Sequence, residues 1–118
     1  MVMLVSTNKL IIDTLKPLGV PTRFQTYEGK EETYITFFCY NEQGESYADD
    51  IEIATGFYMQ IDLWSKGNLE KIKENTIKLL KANGFIKRTI HDAPYEPDTG
   101  IFHKVLRFFY YVENKEDE

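Results

Sequence analysis

The chain has 118 residues, 42% apolar and 28% charged, the make-up of one globular domain that can bury a core without metal or disulfide staples. Lys and Arg number 14 against 19 Asp and Glu, and the net charge of −5 argues against a nucleic-acid binder that works by neutralising phosphates. A single cysteine excludes a disulfide framework or a Cys-rich zinc site and fits a reducing, cytosolic compartment. The opening residues lack the basic segment and long apolar run of a signal peptide. No apolar stretch reaches the roughly eighteen residues that a membrane-spanning helix needs.

Ser6-Thr7-Asn8 offers a helix N-cap, and Leu10, Ile11, Thr14, Leu15 and Leu18 follow at helical spacing. Pro17 cannot continue that helix, and Gly19 with Pro21 marks its stop. Thr22 to Tyr27 alternates like a strand, and Glu28-Gly29 turns it. Thr33 to Tyr40, β-branched and aromatic throughout, is the clearest strand of all. Asn41 to Glu52 reads as an acidic, Gly-containing loop with Glu42, Glu45, Asp49, Asp50 and Glu52 and no basic residue. A strand follows from about Ile53 to Trp64. Ser65 or Asn68 then caps a second helix, whose Leu69, Ile72, Thr76, Leu79 and Leu80 make one apolar stripe before Asn83-Gly84 stops it. Phe85 to Ile90 reads as a strand, His91 to Gly100 as a loop with two prolines, and Ile101 to Val112 as the last strand. A charged tail, Glu113 to Glu118, completes a single domain with its core over about residues 6–112.

The order helix, strand, strand, strand, helix, strand, strand predicts an α+β fold. Its antiparallel sheet has about five strands, with two helices packed on one face. Two features go further. An antiparallel sheet wet on one side should alternate apolar with polar, yet both aromatic strands are apolar on both faces. In Thr33–Tyr40 the faces carry Thr33, Ile35, Phe37 and Cys39, and Tyr34, Thr36, Phe38 and Tyr40. In Ile101–Val112 they carry Ile101, Val105, Phe109 and Tyr111, and Phe102, Leu106, Phe108, Tyr110 and Val112. Either loops cover the second face or another subunit does, and Tyr34, Phe38, Tyr40, Phe108 and Tyr110 are the candidate outward residues.

The second feature is charge segregation. From Lys66 to Arg88 the balance is +5, and the remainder carries −10. A basic helix face is often only solvated. Basic and acidic surfaces on one chain also let copies attract head to tail, which makes Asp49 and Asp50 candidates to meet Lys71 and Lys78 of a neighbour.

Catalytic chemistry is not asked for. The stretch from His91 to His103 contains Asp92, Glu96 and Asp98, but its spacing matches no metal template, and Pro94 and Pro97 read as a rigid connection. Cys39 lies within an apolar strand, where a thiol is a small inert hydrophobe with no neighbouring base. No nucleophile elbow and no Gly-rich phosphate loop occurs. No enzyme activity, cofactor or metal is expected.

The order of several short motifs is similar to that of a known family. These are Leu15-Lys16-Pro17-Leu18-Gly19-Val20-Pro21, Thr33 to Glu42, Gln60-Ile61-Asp62-Leu63-Trp64-Ser65, Tyr95-Glu96-Pro97-Asp98-Thr99-Gly100, and His103-Lys104 with Arg107-Phe108. Over about residues 8–112 the chain resembles small prophage proteins related to the tail-terminator and tail-completion (head–tail joining) proteins of long-tailed phages. The resemblance implies an α+β fold and a hexameric ring, a structural part of the virion that is assembled in the host cytoplasm. It implies self-association, contact with the tail tube protein and with a head-side connector protein, no membrane and no sequence-specific nucleic acid. The rival expectation is a small ligand-binding or regulatory α+β module of phage origin, working through a pocket between sheet and helices.

Overall fold

The computed structural model describes residues 6–114. The Lys9 amide donates to Ser6 Oγ at 3.4 Å and α1 (Thr7–Leu15) starts there, turning Ile11, Thr14 and Leu15 inward. Pro17 then tightens the chain into a 3-10 turn, Lys16–Leu18, which Gly19 ends in the left-handed region at φ 72°. Strand β1 (Thr22–Phe24) is shorter than alternation suggested, because Gln25 takes φ 62° and leaves the sheet.

Strand β2 (Tyr34–Ala48) and strand β3 (Ile51–Ser65) form one long hairpin. The expected acidic loop Asn41–Glu52 is therefore corrected: it is the outer half of this hairpin. Asp49 (φ 51°) and Asp50 (φ 65°) form its turn. A two-residue turn with both φ values positive has the twist that antiparallel strands need, and Asp tolerates it better than most residues. Helix α2 (Glu70–Ala82), strand β4 (Ile86–Asp92) and strand β5 (Phe102–Glu113) follow.

The sheet order is β1-β2-β3-β5-β4. All neighbours run antiparallel except β1 and β2, which are parallel. The fold is α+β, with the expected order of elements. The tail position Asn114 is tied down, its amide donating to the Ile53 carbonyl at 2.8 Å, while residues 115–118 lie outside the described residues.

Pairing register decides the core. Phe37, Ile61 and Leu106 stand in one row across the sheet, and Cys39, Met59 and Phe108 in the next. These rows pack against Ile11 and Leu15 of α1, and against Leu69 and Leu80 beside and on α2. Thr76 is also fully buried, with its hydroxyl donating to the Ile72 carbonyl at 2.6 Å. The expected stripe on α2 needs one correction: Ile72 and Leu79 are only half-buried. Leu80→Ala, at a site with no exposure, is expected to cost about 2–5 kcal/mol, and Leu79→Ala distinctly less. Denaturant midpoints of the two variants check the ranking.

Candidate functional site

Both helices serve one face of the sheet, and the other face carries a continuous layer of rings and polar groups. At one end, Tyr27 stacks on Tyr34 with centroids 4.5 Å apart, and Tyr34 on Trp64 at 6.0 Å. Trp64 stacks on His103 at 3.7 Å and donates its indole N–H to Thr36 Oγ1 at 2.9 Å. His103 Nε2 lies 2.7 Å from Asp62 Oδ1, which also accepts from Gln60 Nε2 at 2.9 Å. Gln60 Oε1 in turn accepts two bonds from the Arg107 guanidinium, at 3.2 and 3.1 Å.

Arg107 then leads into a second group of rings. Its guanidinium lies 5.0 Å from the centre of Tyr40, Tyr40 packs on Tyr58, and Tyr58 packs on Phe109 at 4.9 Å. Arg88, at a bulge in β4, lies over the Tyr58 ring at 5.4 Å. Gly56 is the floor beneath Phe109: a Cβ there would meet that ring at 2.5 Å, so only glycine lets the ring lie flat on β3. Asp62 keeps 4% exposure yet has both partners, and no buried side-chain polar atom among the described residues lacks one. Burial holds the Tyr34 phenol above its ordinary pKa, with Glu96 and then Tyr27 adding to the shift.

Three of the five expected outward aromatics are here: Tyr34, Phe38 and Tyr40. Phe108 and Tyr110 are corrected. Phe108 pairs with Met59 and is fully buried under the helices, and Tyr110 stacks on buried Phe85 at 4.5 Å. Alternation separates the two faces of a strand but does not say which one meets the helices. Sequence reasoning missed Tyr58, Gln60, Asp62, Trp64, His103, Arg107 and Phe109. The signal was available, since Gln60 and Asp62 alternate with Met59, Ile61 and Leu63, and His103 and Arg107 share their parity with Phe109. Asp49 and Asp50 stand at the hairpin tip, while Lys71 and Lys78 border a groove on the helix side; the fold does not bring the two pairs together within one chain.

A separate cleft of about 580 Å³ opens beside Lys104, lined among others by Asn68, Tyr95, Phe102 and His103. Lys104 Nζ contacts Asp92 at 2.6 Å and Glu70 at 3.7 Å. Its hydrogen bond holds the Asp92 carboxyl below the ordinary carboxylate range. The proline-containing connection closes as a turn through Glu96 and Ile101, with Gly100 at φ 73°. Among the described residues no group of three His, Cys, Asp or Glu side chains is placed to hold a metal, and no helix is long and apolar enough to cross a membrane. In comparisons with known proteins, no family model and no curated protein matches the chain.

Two outcomes follow from this geometry. Trp64 is the only tryptophan, so His103→Ala, which uncovers one side of its ring, is expected to red-shift the fluorescence emission. An unmoved spectrum would mean that the stack is not maintained in solution. A depressed carboxylate pKa stabilises the fold above the unfolded value of 3.8, and that contribution is lost as pH falls through the lower folded value. Asp92→Asn is therefore expected to lower the melting temperature at pH 7, with the gap to the unaltered protein closing below about pH 4.

Proposed function

We propose that the protein is a structural, non-enzymatic virion component. In this reading it is a tail-terminator or tail-completion subunit that forms a ring at the head-proximal end of a phage tail tube. The observation that carries the reading is the second sheet face. It is rich in aromatic rings, no helix among the described residues covers it, and Tyr40 and Tyr111 on it remain 41% and 45% exposed. Aromatic residues with arginine are the enriched composition of interface centres, and here the arginines are already placed over rings. The ordered motifs that resemble the tail-completion family supply the biological setting. The partners in this reading are further copies of the chain in a hexameric ring, the tail tube protein and a head-side connector protein.

A second reading has its own observation. The cleft of about 580 Å³ beside Lys104 has the size of a small-molecule site and two exposed aromatic walls, Tyr95 and Phe102, whose rings pack at 4.7 Å. It supports a small ligand-binding module of phage origin. Light scattering across a concentration series separates the two. A ring subunit is expected to give a hexamer, or a mass that rises with concentration towards one. A protein that stays monomeric at every concentration overturns the ring reading.

A further inference from the structure

The chain has an acidic arm at one end and a lysine-rimmed apolar groove at the other. The arm is the outer part of the β2–β3 hairpin. Beyond the Ala54–Glu113 pair, β3 has only β2 as a neighbour, and a two-stranded ribbon alone buries little. Tyr47, Ile51 and Ile53 are accordingly 61%, 55% and 40% exposed, beside Asp49 and Asp50 in the turn.

The groove lies between the 3-10 turn and α2. It has a volume of about 570 Å³, an apolar floor that includes Pro17, Leu18, Ile72 and Leu79, and Lys71 and Lys78 along its side. Neither lysine is ion-paired among the described residues. The two half-buried leucine and isoleucine positions of the α2 stripe are thus the ones that this groove exposes.

Arm and groove cannot meet within one molecule. Thr33 and Asn68 border the groove, and Thr33 is bonded to Ser65 at 2.7 Å, at the far end of β3 from the arm. A strand of 15 residues puts those ends about 46 Å apart, consistent with the 53 Å long axis of the molecule.

We infer that the hairpin tip of one copy seats in the groove of a second copy. Ile51 and Ile53, on one face of β3 by alternation, cover the apolar floor, and Asp49 and Asp50 meet Lys71 and Lys78. Apolar side chains and opposite charges are matched on the two surfaces, and neither surface has another partner among the described residues. Because the surfaces differ, the contact is heterologous and propagates head to tail, closing when the rotation between copies allows. This assignment rests on the ring reading above and names the contact that would hold the ring.

The test uses full-length chains and sedimentation. Lys71→Glu with Lys78→Glu is expected to weaken self-association about tenfold or more without lowering the melting temperature. Asp49→Lys with Asp50→Lys is expected to weaken it as much while the chain stays folded, at the modest stability cost of placing Lys at two positive-φ turn positions. Mixed one to one, the two variants should recover assembly, since each arm then finds a groove of opposite charge. A third variant, Ile51→Ser with Ile53→Ser, should weaken association while remaining insensitive to salt in its loss. Variants that assemble as tightly as the unaltered chain, or a mixture no better than its components, overturn the contact and leave the ring reading standing. A charge-dependent dimer supports the contact and overturns the ring, and an unaltered chain that is monomeric at every concentration removes both.

Discussion

Strand β3 is the constraint on which the remaining structure depends. It pairs with β2 along its length and with β5 from Ala54 to Ser65, so its register fixes what stands on each face of three strands at once. With period two, Met59, Ile61 and Leu63 face the helices and Tyr58, Gln60, Asp62 and Trp64 face away. A slip by one residue would bury Asp62 among the core side chains and expose Ile61, which strongly disfavours it. Further out this protection disappears. From Asn41 onwards β2 is polar or exposed on both sides, and the register shifts at Cys39/Asn41, Gly44/Ser46 and Ser46/Tyr47 fall there. Such shifts also twist an open edge and make unspecific strand pairing harder.

The two faces are stabilised by different physics. Under the helices, close-packed aliphatic and aromatic side chains exclude water. On the open face the rings are held by directed contacts, from Thr36 through Trp64, His103, Asp62, Gln60 and Arg107 to Tyr40. That difference matters for association. An interface that buries a charged group without partners is penalised, whereas Arg107 already donates twice to Gln60 and lies over a ring. A face organised in this way can lose water with its polar groups already paired.

Much of the fold was legible because its signals are local. The helix at Thr7–Leu15 follows from a Ser cap and a Pro stop, and that at Glu70–Ala82 from a stripe ending at Asn83-Gly84. What was not legible depends on pairing across the sheet. Asn41–Glu52 has the composition of a loop, but Asp49-Asp50 adopts the tight turn and the neighbouring strand supplies the hydrogen bonds that extend it. Phe108 and Phe109 are adjacent and chemically identical, and only the position of Met59 opposite Phe108 sends one into the core and the other onto the open face. The parallel pairing of β1 beside β2 had no local signal either, since a three-residue strand carries too little pattern. Of the candidate site, the aromatic half was visible in composition, while the Asp62–His103 and Gln60–Arg107 pairs join residues more than forty positions apart.

Segregated charge gives the proposed arm-to-groove contact a direction that apolar burial alone lacks. Tyr47, Ile51 and Ile53 would cover any apolar surface equally well, including the arm of another copy. Arm against arm, however, brings Asp49 and Asp50 of both copies together, and groove against groove opposes Lys71 and Lys78 with their counterparts. Both arrangements are disfavoured by like charges, and only the unlike pairing remains. The tip also stands clear of its own core, so these repulsive residues cost little in the isolated fold, where Asp49 and Asp50 are exposed. Asp49 and Asp50, two of the five acidic residues that give Asn41–Glu52 the composition of a loop, therefore act in this arrangement as the element that decides which surface of a neighbour the arm can accept.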